Sequence, residues 1–114
     1  MFTYKAQITK VVDADTLDLE VDLGFTVFTK IRVRLARIDA YETRLGRGTT
    51  EEMKAKGLEA KQTVKDLAES AQEVVVTTTG TGKYGRWIAE LSLDGLNLSD
   101  FLLKSGYAVE KNYD

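Results

Sequence analysis

Hydrophobic and polar residues alternate along the first forty positions, and this period of two is the feature that most restricts the fold. Over residues 16–23 leucine and valine occupy the odd positions, and aspartate or glutamate occupies most of the even ones. Such alternation is typical of a strand with one buried face. It also predicts a strand over residues 4–12 and another over residues 25–38, although a bulge could interrupt the last one. Because no helical segment separates them, the three strands predict a meander.

A loop and a long helix are predicted after the third strand. Residues 43–50 contain two glycines and show no periodicity, which indicates a loop. Thr49 and Glu52 form a capping-box pattern, and apolar residues then follow helical spacing to Ala71. Gly57 costs about 1 kcal/mol relative to alanine inside a helix, so we expect the well-formed helix to begin near Leu58.

The last part of the chain predicts two strands and a short helix. Valine and threonine over residues 73–79 favour a strand, Gly80 begins a loop, and residues 87–93 form the fifth strand, with Trp87 in the core or against a helix. Ser99 is expected to cap a short helix that Gly106 ends.

The predicted order β-β-β-α-β-β-α indicates a mainly β fold with helices (α+β). Five short strands with a helix between the third and fourth fit a five-stranded Greek-key barrel of the OB type. A split ferredoxin-like sheet would require a helix after the first strand, and none is predicted. The chain shows no repeat or linker, so we expect a single domain over residues 1–114.

Composition excludes several kinds of chemistry. The apolar content of 43% and charged content of 30% are those of an ordinary globular domain. No apolar run approaches the ~18 residues of a membrane span, so no membrane partner is expected. The absence of a leader pattern leaves two expectations for localisation, cytoplasmic or secreted after removal of an export segment. With no cysteine and no histidine, a bound metal would meet oxygen ligands, which suit Ca²⁺ or Mg²⁺.

Arginine is concentrated in one part of a chain whose net charge is -2. Residues 30–47 contain six basic and two acidic side chains, which gives this window a charge of +4. Charge alone leaves two interpretations open, a solvated sheet face with a loop or an anion-binding site.

Three separated segments contain the unusual polar residues: residues 13–16 (DADT), 34–43 (RLARIDAYET) and 83–86 (KYGR). Together they resemble the signature of the staphylococcal nuclease (thermonuclease) family, a group of calcium-dependent phosphodiesterases on an OB-fold. The resemblance covers nearly the whole chain and includes the sequence SGYA at residues 105–108.

Asp15 and Asp39 are the candidate metal ligands. Taken alone, they could be two turn aspartates, or barrel curvature could bring them together as oxygen ligands of a hard cation. The resemblance implies that both carboxylates bind Ca²⁺, with the backbone carbonyl of Ala40 as a third ligand.

The resemblance also implies the catalytic and substrate-binding residues. Arg34 and Arg86 would clamp the scissile phosphate, and Glu42 would act as the general base. Lys83 and Tyr84 would contact the terminal phosphate and the nucleotide. Without the resemblance, Glu42 and Arg86 are ordinary surface residues, Tyr84 could be buried, and Arg34 could form a strand ion pair with Glu20 or Asp22.

The expected function is therefore a Ca²⁺-dependent nuclease acting on single-stranded DNA and RNA with little sequence specificity and leaving 3′-phosphates. The alternatives are a non-catalytic OB module that binds nucleic acid and a barrel that binds an acidic protein partner. Two departures from the family are visible. Ala40 and Tyr41 replace its usual Thr-Pro, which could change metal affinity. The given sequence also stops before the family's third C-terminal helix, so either the domain is trimmed or something else covers that surface, and exposed apolar area there would favour a homodimer or strand exchange through the C-terminal side.

Overall fold

The fold is taken from a computed structural model that describes residues 2–41, 50–81 and 86–111. Within these ranges the chain forms eight strands and two helices. The strands are β1 (Phe2–Asp13), β2 (Thr16–Asp22), β3 (Phe28–Leu35), β4 (Ile38–Ala40), β5 (Val74–Thr81), β6 (Trp87–Leu93), β7 (Leu96–Asn97) and β8 (Ala108–Glu110). The helices are α1 (Glu51–Ser70) and α2 (Leu98–Lys104). Neither helix of the described part has the length and apolar character needed to cross a bilayer.

Five strands close into a barrel, which confirms the predicted α+β OB-fold. Antiparallel pairing gives the order β3-β2-β1-β5-β6, and a parallel pairing of β3 with β6 closes the sheet. In that closing pair Val33 lies opposite Trp87 and Leu35 opposite Ala89. The predicted strand order is confirmed, and α1 lies between the third and fourth barrel strands in the chain.

The core is built from the period-two positions and from one face of α1. Leu17, Leu19 and Val21 of β2 are buried, as the alternation predicts. The expectation that the regular helix begins near Leu58 is wrong, since α1 begins at Glu51 with Thr50 as its N-cap. Gly57 is itself buried on the face of α1 that also buries Ala60 and Val64, so packing against the barrel overrides its low helix propensity.

The predicted third strand over residues 25–38 is two strands in the structure. A turn at Ala36 and Arg37 ends β3 and starts β4, and Arg37 adopts a left-handed φ of 70°. The turn is fixed because the N–H of Ala36 donates to the Ala89 carbonyl and the Ser99 hydroxyl donates to the Ala36 carbonyl. After the turn, β4 leaves the barrel sheet and pairs with β8.

Three further expectations for the C-terminal half are corrected. Asn97, not Ser99, caps α2 by accepting the Asp100 N–H, and Ser99 is fully buried. Gly80 belongs to β5, and the pairing of β5 with β6 changes register between Thr78 and Gly80. Trp87 is 41% exposed, because it occupies the first position of β6 at an end of the barrel.

The turn between β2 and β3 carries an exposed apolar tip. Phe25 is fully exposed and has a left-handed φ of 55°, and Val27 and Phe28 beside it are about half exposed. The strand predicted over residues 16–23 stops at Asp22, whose carboxylate accepts the Gly24 N–H. Leu23 is therefore exposed in the turn rather than buried with the other alternating residues.

Candidate functional site

Asp15 is the most buried charged residue of the site. It lies in the turn between β1 and β2 and is 5% exposed. Its backbone carbonyl accepts the Leu35 N–H, and its Oδ2 accepts the Ala40 N–H at 3.0 Å. Burial raises the pKa of the Asp15 carboxyl above its ordinary value, against the opposing effects of the Ala40 N–H and the Arg34 charge. Asp15 therefore joins the first turn of the barrel to β4.

Arg34 connects the two predicted metal ligands. Its Nη2 lies 2.6 Å from Oδ1 of Asp39 and 3.2 Å from Oδ2 of Asp15. The alternative ion pairs with Glu20 or Asp22 are wrong, because Arg34 lies opposite Thr16 in the β2–β3 pair, at the end of β2 that adjoins Asp15. One guanidinium nitrogen is thus within reach of two carboxylates that are 24 positions apart in the chain.

The pairing of β4 with β8 positions Asp39 and Ala40. Asp39 lies opposite Val109 and Ala40 opposite Ala108. The turn at Arg37 directs β4 toward this pairing, and β4 then passes close to Asp15. The family resemblance predicted that Asp15 and Asp39 lie close together. In the structure both carboxylates contact the Arg34 guanidinium.

Arg86 enters the site through the parallel closure of the barrel. Because Val33 lies opposite Trp87, Arg86 precedes β6 at the level of Arg32 on β3. Within the described ranges Arg86 makes no ion pair, whereas Arg32 binds Asp18 at 2.7 Å. Arg86 is half buried, so its guanidinium is placed beside the site without a described carboxylate to neutralise it.

Asp15, Arg34, Ala40 and Arg86 border one cavity of about 300 Å³. Its lining consists of Val12, Asp13, Asp15, Thr16, Arg32, Arg34, Ala40, Tyr41 and Arg86. Four parts of the fold therefore form the same small polar space: the turn before β2, the face of β3, the end of β4 and the start of β6. Three arginines in one concave site are an arrangement that suits a phosphate group.

The arginine-rich window is divided between two surfaces. Arg37 forms a bidentate pair with Glu90 at 2.6 and 3.1 Å and a further ion pair with Asp100 at 2.9 Å. These contacts, led by the Glu90 hydrogen bond, raise the pKa of Arg37. Arg37 therefore fastens the β3–β4 turn to β6 and α2, and it does not contribute to the cavity.

Among the residues that border the cavity, Arg32 and Tyr41 were not predicted as site residues, and neither were Val12 and Thr16. Arg32 could have been found, because it lies two positions before Arg34 on the same strand face. Tyr41 had no signal beyond its position next to Ala40. Glu42, Lys83 and Tyr84 lie outside the described residues.

The donor set fits a hard cation. Asp15 and Asp39 supply carboxylate oxygens close to one cationic nitrogen, and oxygen donors are the ligands that Ca²⁺ takes in proteins. A cation bound there would also compensate the burial of the Asp15 charge. In the described ranges no three acidic residues are grouped closely enough to form a complete metal site, so waters or residues beyond these ranges would complete the shell.

Chemically, the cavity combines anion recognition with buried negative charge. Arginine forks can bind phosphoryl oxygens and stabilise charge that develops on them. The carboxylates alone would repel a phosphate, so phosphate binding requires that Arg34, Arg86 or a bound cation offset them.

Comparison with known proteins gives one family. A family model described as "Staphylococcal nuclease homologue" matches residues 32–114, which is nearly three-quarters of the chain. The matched segment includes Arg34, Asp39, Ala40 and Arg86, while Asp15 precedes it. No curated protein matches the chain significantly.

Proposed function

Because this chain belongs to the staphylococcal nuclease homologue family, we propose that it is a calcium-dependent nuclease for single-stranded DNA and RNA. Family membership and the closed barrel indicate a nuclease or a nucleic-acid-binding OB-fold. The observation that carries the finer proposal is the convergence of Asp15, Arg34 and Asp39 beside a cavity that Arg86 also borders. The reaction is hydrolysis of a phosphodiester bond with little sequence specificity.

In this proposal each predicted catalytic or substrate-binding residue has one role. Arg34 and Arg86 bind the nonbridging oxygens of the scissile phosphate and stabilise the charge they gain. Glu42, which follows the cavity residue Tyr41 in the chain, accepts a proton from the attacking water. The 5′-oxygen leaves, so the products end in 3′-phosphates. Lys83 and Tyr84 bind the adjoining phosphate and nucleotide.

Asp15, Asp39 and the Ala40 carbonyl would hold Ca²⁺. Support comes from the two carboxylates at Arg34 and from the burial of Asp15. When bound, calcium supplies Lewis-acid polarisation of a phosphoryl oxygen. Asp15 also keeps β4 in place through the Ala40 N–H.

A direct test is cleavage of heat-denatured DNA and of RNA by the purified protein in Ca²⁺ or in EGTA. We expect cleavage in Ca²⁺ only, and analysis of the product ends should give 3′-phosphates. Arg34→Lys and Arg86→Lys should each lower kcat/KM by about 100-fold or more, because lysine cannot reproduce the bidentate contact. Glu42→Gln should lower kcat by about 100-fold or more.

Arg37→Lys is the matched control, since its guanidinium binds Glu90 and Asp100 rather than the cavity. Its activity should stay within about twofold of the wild type, as expected for a surface change distant from the chemistry. Cleavage that persists in EGTA would contradict the calcium proposal, and unchanged activity of both Arg34→Lys and Arg86→Lys would contradict the phosphate clamp.

A second candidate function is nucleic-acid binding without hydrolysis. The observation that favours it is the small acidic set of the described ranges, in which no three acidic residues are grouped closely enough to hold a metal ion. A folded protein that binds single strands in Ca²⁺ but releases no product over prolonged incubation would establish this alternative.

Self-association through the C-terminal side stays a prediction. Val109 of β8 is a large apolar residue that is 52% exposed on that side. Light scattering at the assay concentration measures the oligomeric state, and a monodisperse monomer would contradict the predicted homodimer.

A further inference from the structure

Tyr41 borders the cavity at a position that the proposed function does not use. It follows Ala40, the last residue of β4, and its side chain is half buried. The same cavity is bordered by Arg34 and Arg86. An aromatic residue therefore lines the space to which the phosphate is assigned.

A cation covers the Tyr41 ring. Nζ of Lys56, an exposed residue of α1, lies 5.3 Å from the ring centroid. This distance is that of a cation–π contact. The contact brings the first turns of α1 next to the end of β4, and it adds a positive charge beside the cavity.

The cavity has the dimensions of a small subsite. At about 300 Å³ it lies at the lower end of the range for ligand pockets, which suits one nucleotide unit rather than a duplex. In a nucleotide one sugar separates the base from the phosphate, so a phosphate bound at Arg34 and Arg86 brings its base close to the other residues that line so small a space, Tyr41 among them. A tyrosine there can stack on any of the bases, because each base presents a π-face.

We propose that Tyr41 and Lys56 form a nucleotide subsite in which Tyr41 stacks on the base next to the scissile phosphate and Lys56 binds the neighbouring phosphate. This proposal rests on the proposed function, because it places the scissile phosphate between Arg34 and Arg86. A base can reach Tyr41 only when it is unstacked from its neighbours, which selects single strands. Stacking reads no base edge, so it favours no sequence.

The test is equilibrium binding of a short phosphorothioate-linked single strand, compared with an abasic strand of the same length, in Ca²⁺ and in EGTA. Tyr41→Ala should weaken binding of the base-containing strand by roughly tenfold or more and leave the abasic strand unchanged. Tyr41→Phe should retain binding of both. Lys56→Gln should weaken both strands equally, because both carry the phosphates.

Phe25→Ala is the control, since Phe25 is a fully exposed aromatic residue at the β2–β3 turn. It should bind both strands as the wild type does. Equal losses on the two strands for Tyr41→Ala, or no loss on either, would overturn the subsite. A thermal melt of each variant identifies any loss that comes from unfolding.

The two proposals fail in different ways. Base-dependent binding through Tyr41 without any cleavage of unmodified strands supports the subsite and contradicts the nuclease. Calcium-dependent cleavage with binding that is insensitive to Tyr41→Ala supports the nuclease and overturns the subsite.

Discussion

At the scale of single residues, Asp15 shows how one carboxylate serves both the fold and the site. Its three side-chain partners are the Thr16 hydroxyl, the Ala40 N–H and Arg34. They satisfy the carboxylate, yet burial still raises its pKa because the loss of hydration outweighs these contacts. Ionisation of the buried Asp15 therefore lowers the stability of the fold at neutral pH.

This effect predicts that Asp15→Asn stabilises the metal-free protein. The asparagine oxygen can accept the Ala40 N–H, and its amide can donate to the Thr16 hydroxyl, so the site is filled without a buried charge. Because the folded pKa is above the ordinary value of 3.8, wild-type stability falls as pH rises through the window between the two values. The gain of Asp15→Asn should be complete at pH 7 in EGTA and absent below pH 3.8, as measured by urea denaturation.

A calcium ion bound by Asp15, as proposed, should reverse the comparison. A ligand that binds only the folded state raises the melting temperature. Saturating Ca²⁺ should therefore raise the melting temperature of the wild type and leave the melting temperature of Asp15→Asn unchanged. A variant that is less stable than the wild type at pH 7 in EGTA would show that the ionised carboxylate contributes net stability. Equal calcium shifts in the two proteins would place the metal away from Asp15.

At the scale of secondary structure elements, the local sequence pattern predicted the presence and order of the strands and helices better than the residues at which they begin and end. The alternation from Leu17 to Val21 and the spacing in α1 are properties of neighbouring residues, so β2 and α1 could be predicted from the sequence. The break at Arg37 could not, because β8 and the Ala89 carbonyl that fix it lie more than 50 positions away. The same reason explains Ser99, whose partner is the Ala36 carbonyl rather than a helix N-terminus.

The Arg37 turn predicts opposite backbone and side-chain effects. A left-handed φ of 70° costs a non-glycine residue about 1 to 2 kcal/mol, while the half-exposed ion pairs with Glu90 and Asp100 each contribute about 1 kcal/mol or less. Arg37→Ala loses both pairs and keeps the unfavourable backbone, so it should destabilise the protein by about 1 to 2 kcal/mol. Arg37→Gly loses both pairs but relieves the backbone, and it should be more stable than Arg37→Ala by about 1 kcal/mol.

Urea denaturation of the two variants checks this order, with Glu90→Gln as the matched control for the side-chain contribution. Glu90→Gln leaves the backbone at Arg37 unchanged and should cost no more than about 1 kcal/mol. An Arg37→Gly protein that is less stable than Arg37→Ala would show that the turn does not adopt the left-handed conformation in solution.

At the scale of the whole molecule, the site depends on two closures of the chain. Parallel pairing of β3 with β6 brings Arg86 to Arg32, and pairing of β4 with β8 brings Asp39 to Asp15. Neither closure is encoded in a local sequence motif. The residue types alone therefore indicated candidate site residues, and only the family resemblance predicted that these residues lie together. Arg37 illustrates the limit of counting charges, since the window containing it has a charge of +4 but its own side chain is neutralised on another surface.

This distribution of charge predicts a weak salt dependence of single-strand binding. The net charge is -2. The described cations that line the cavity are Arg32, Arg34 and Arg86, two of which also contact carboxylates, and Lys56 lies over the ring of the lining residue Tyr41. Each phosphate neutralised on a single strand contributes about -0.7 to the slope of log K against log salt, so two to four contacts give about -1.5 to -3.

Titration of a non-cleavable strand from 50 to 200 mM salt, roughly the range over which such slopes are compared, measures this slope. Lys56→Gln should reduce its magnitude by about 0.7, the share of one phosphate. Lys104→Gln is the control, because this exposed lysine in the last turn of α2 lies outside the cavity, and it should leave the slope unchanged. A slope steeper than about -5, or equal effects of the two substitutions, would mean that the strand is held by cations spread over the surface rather than by the cavity.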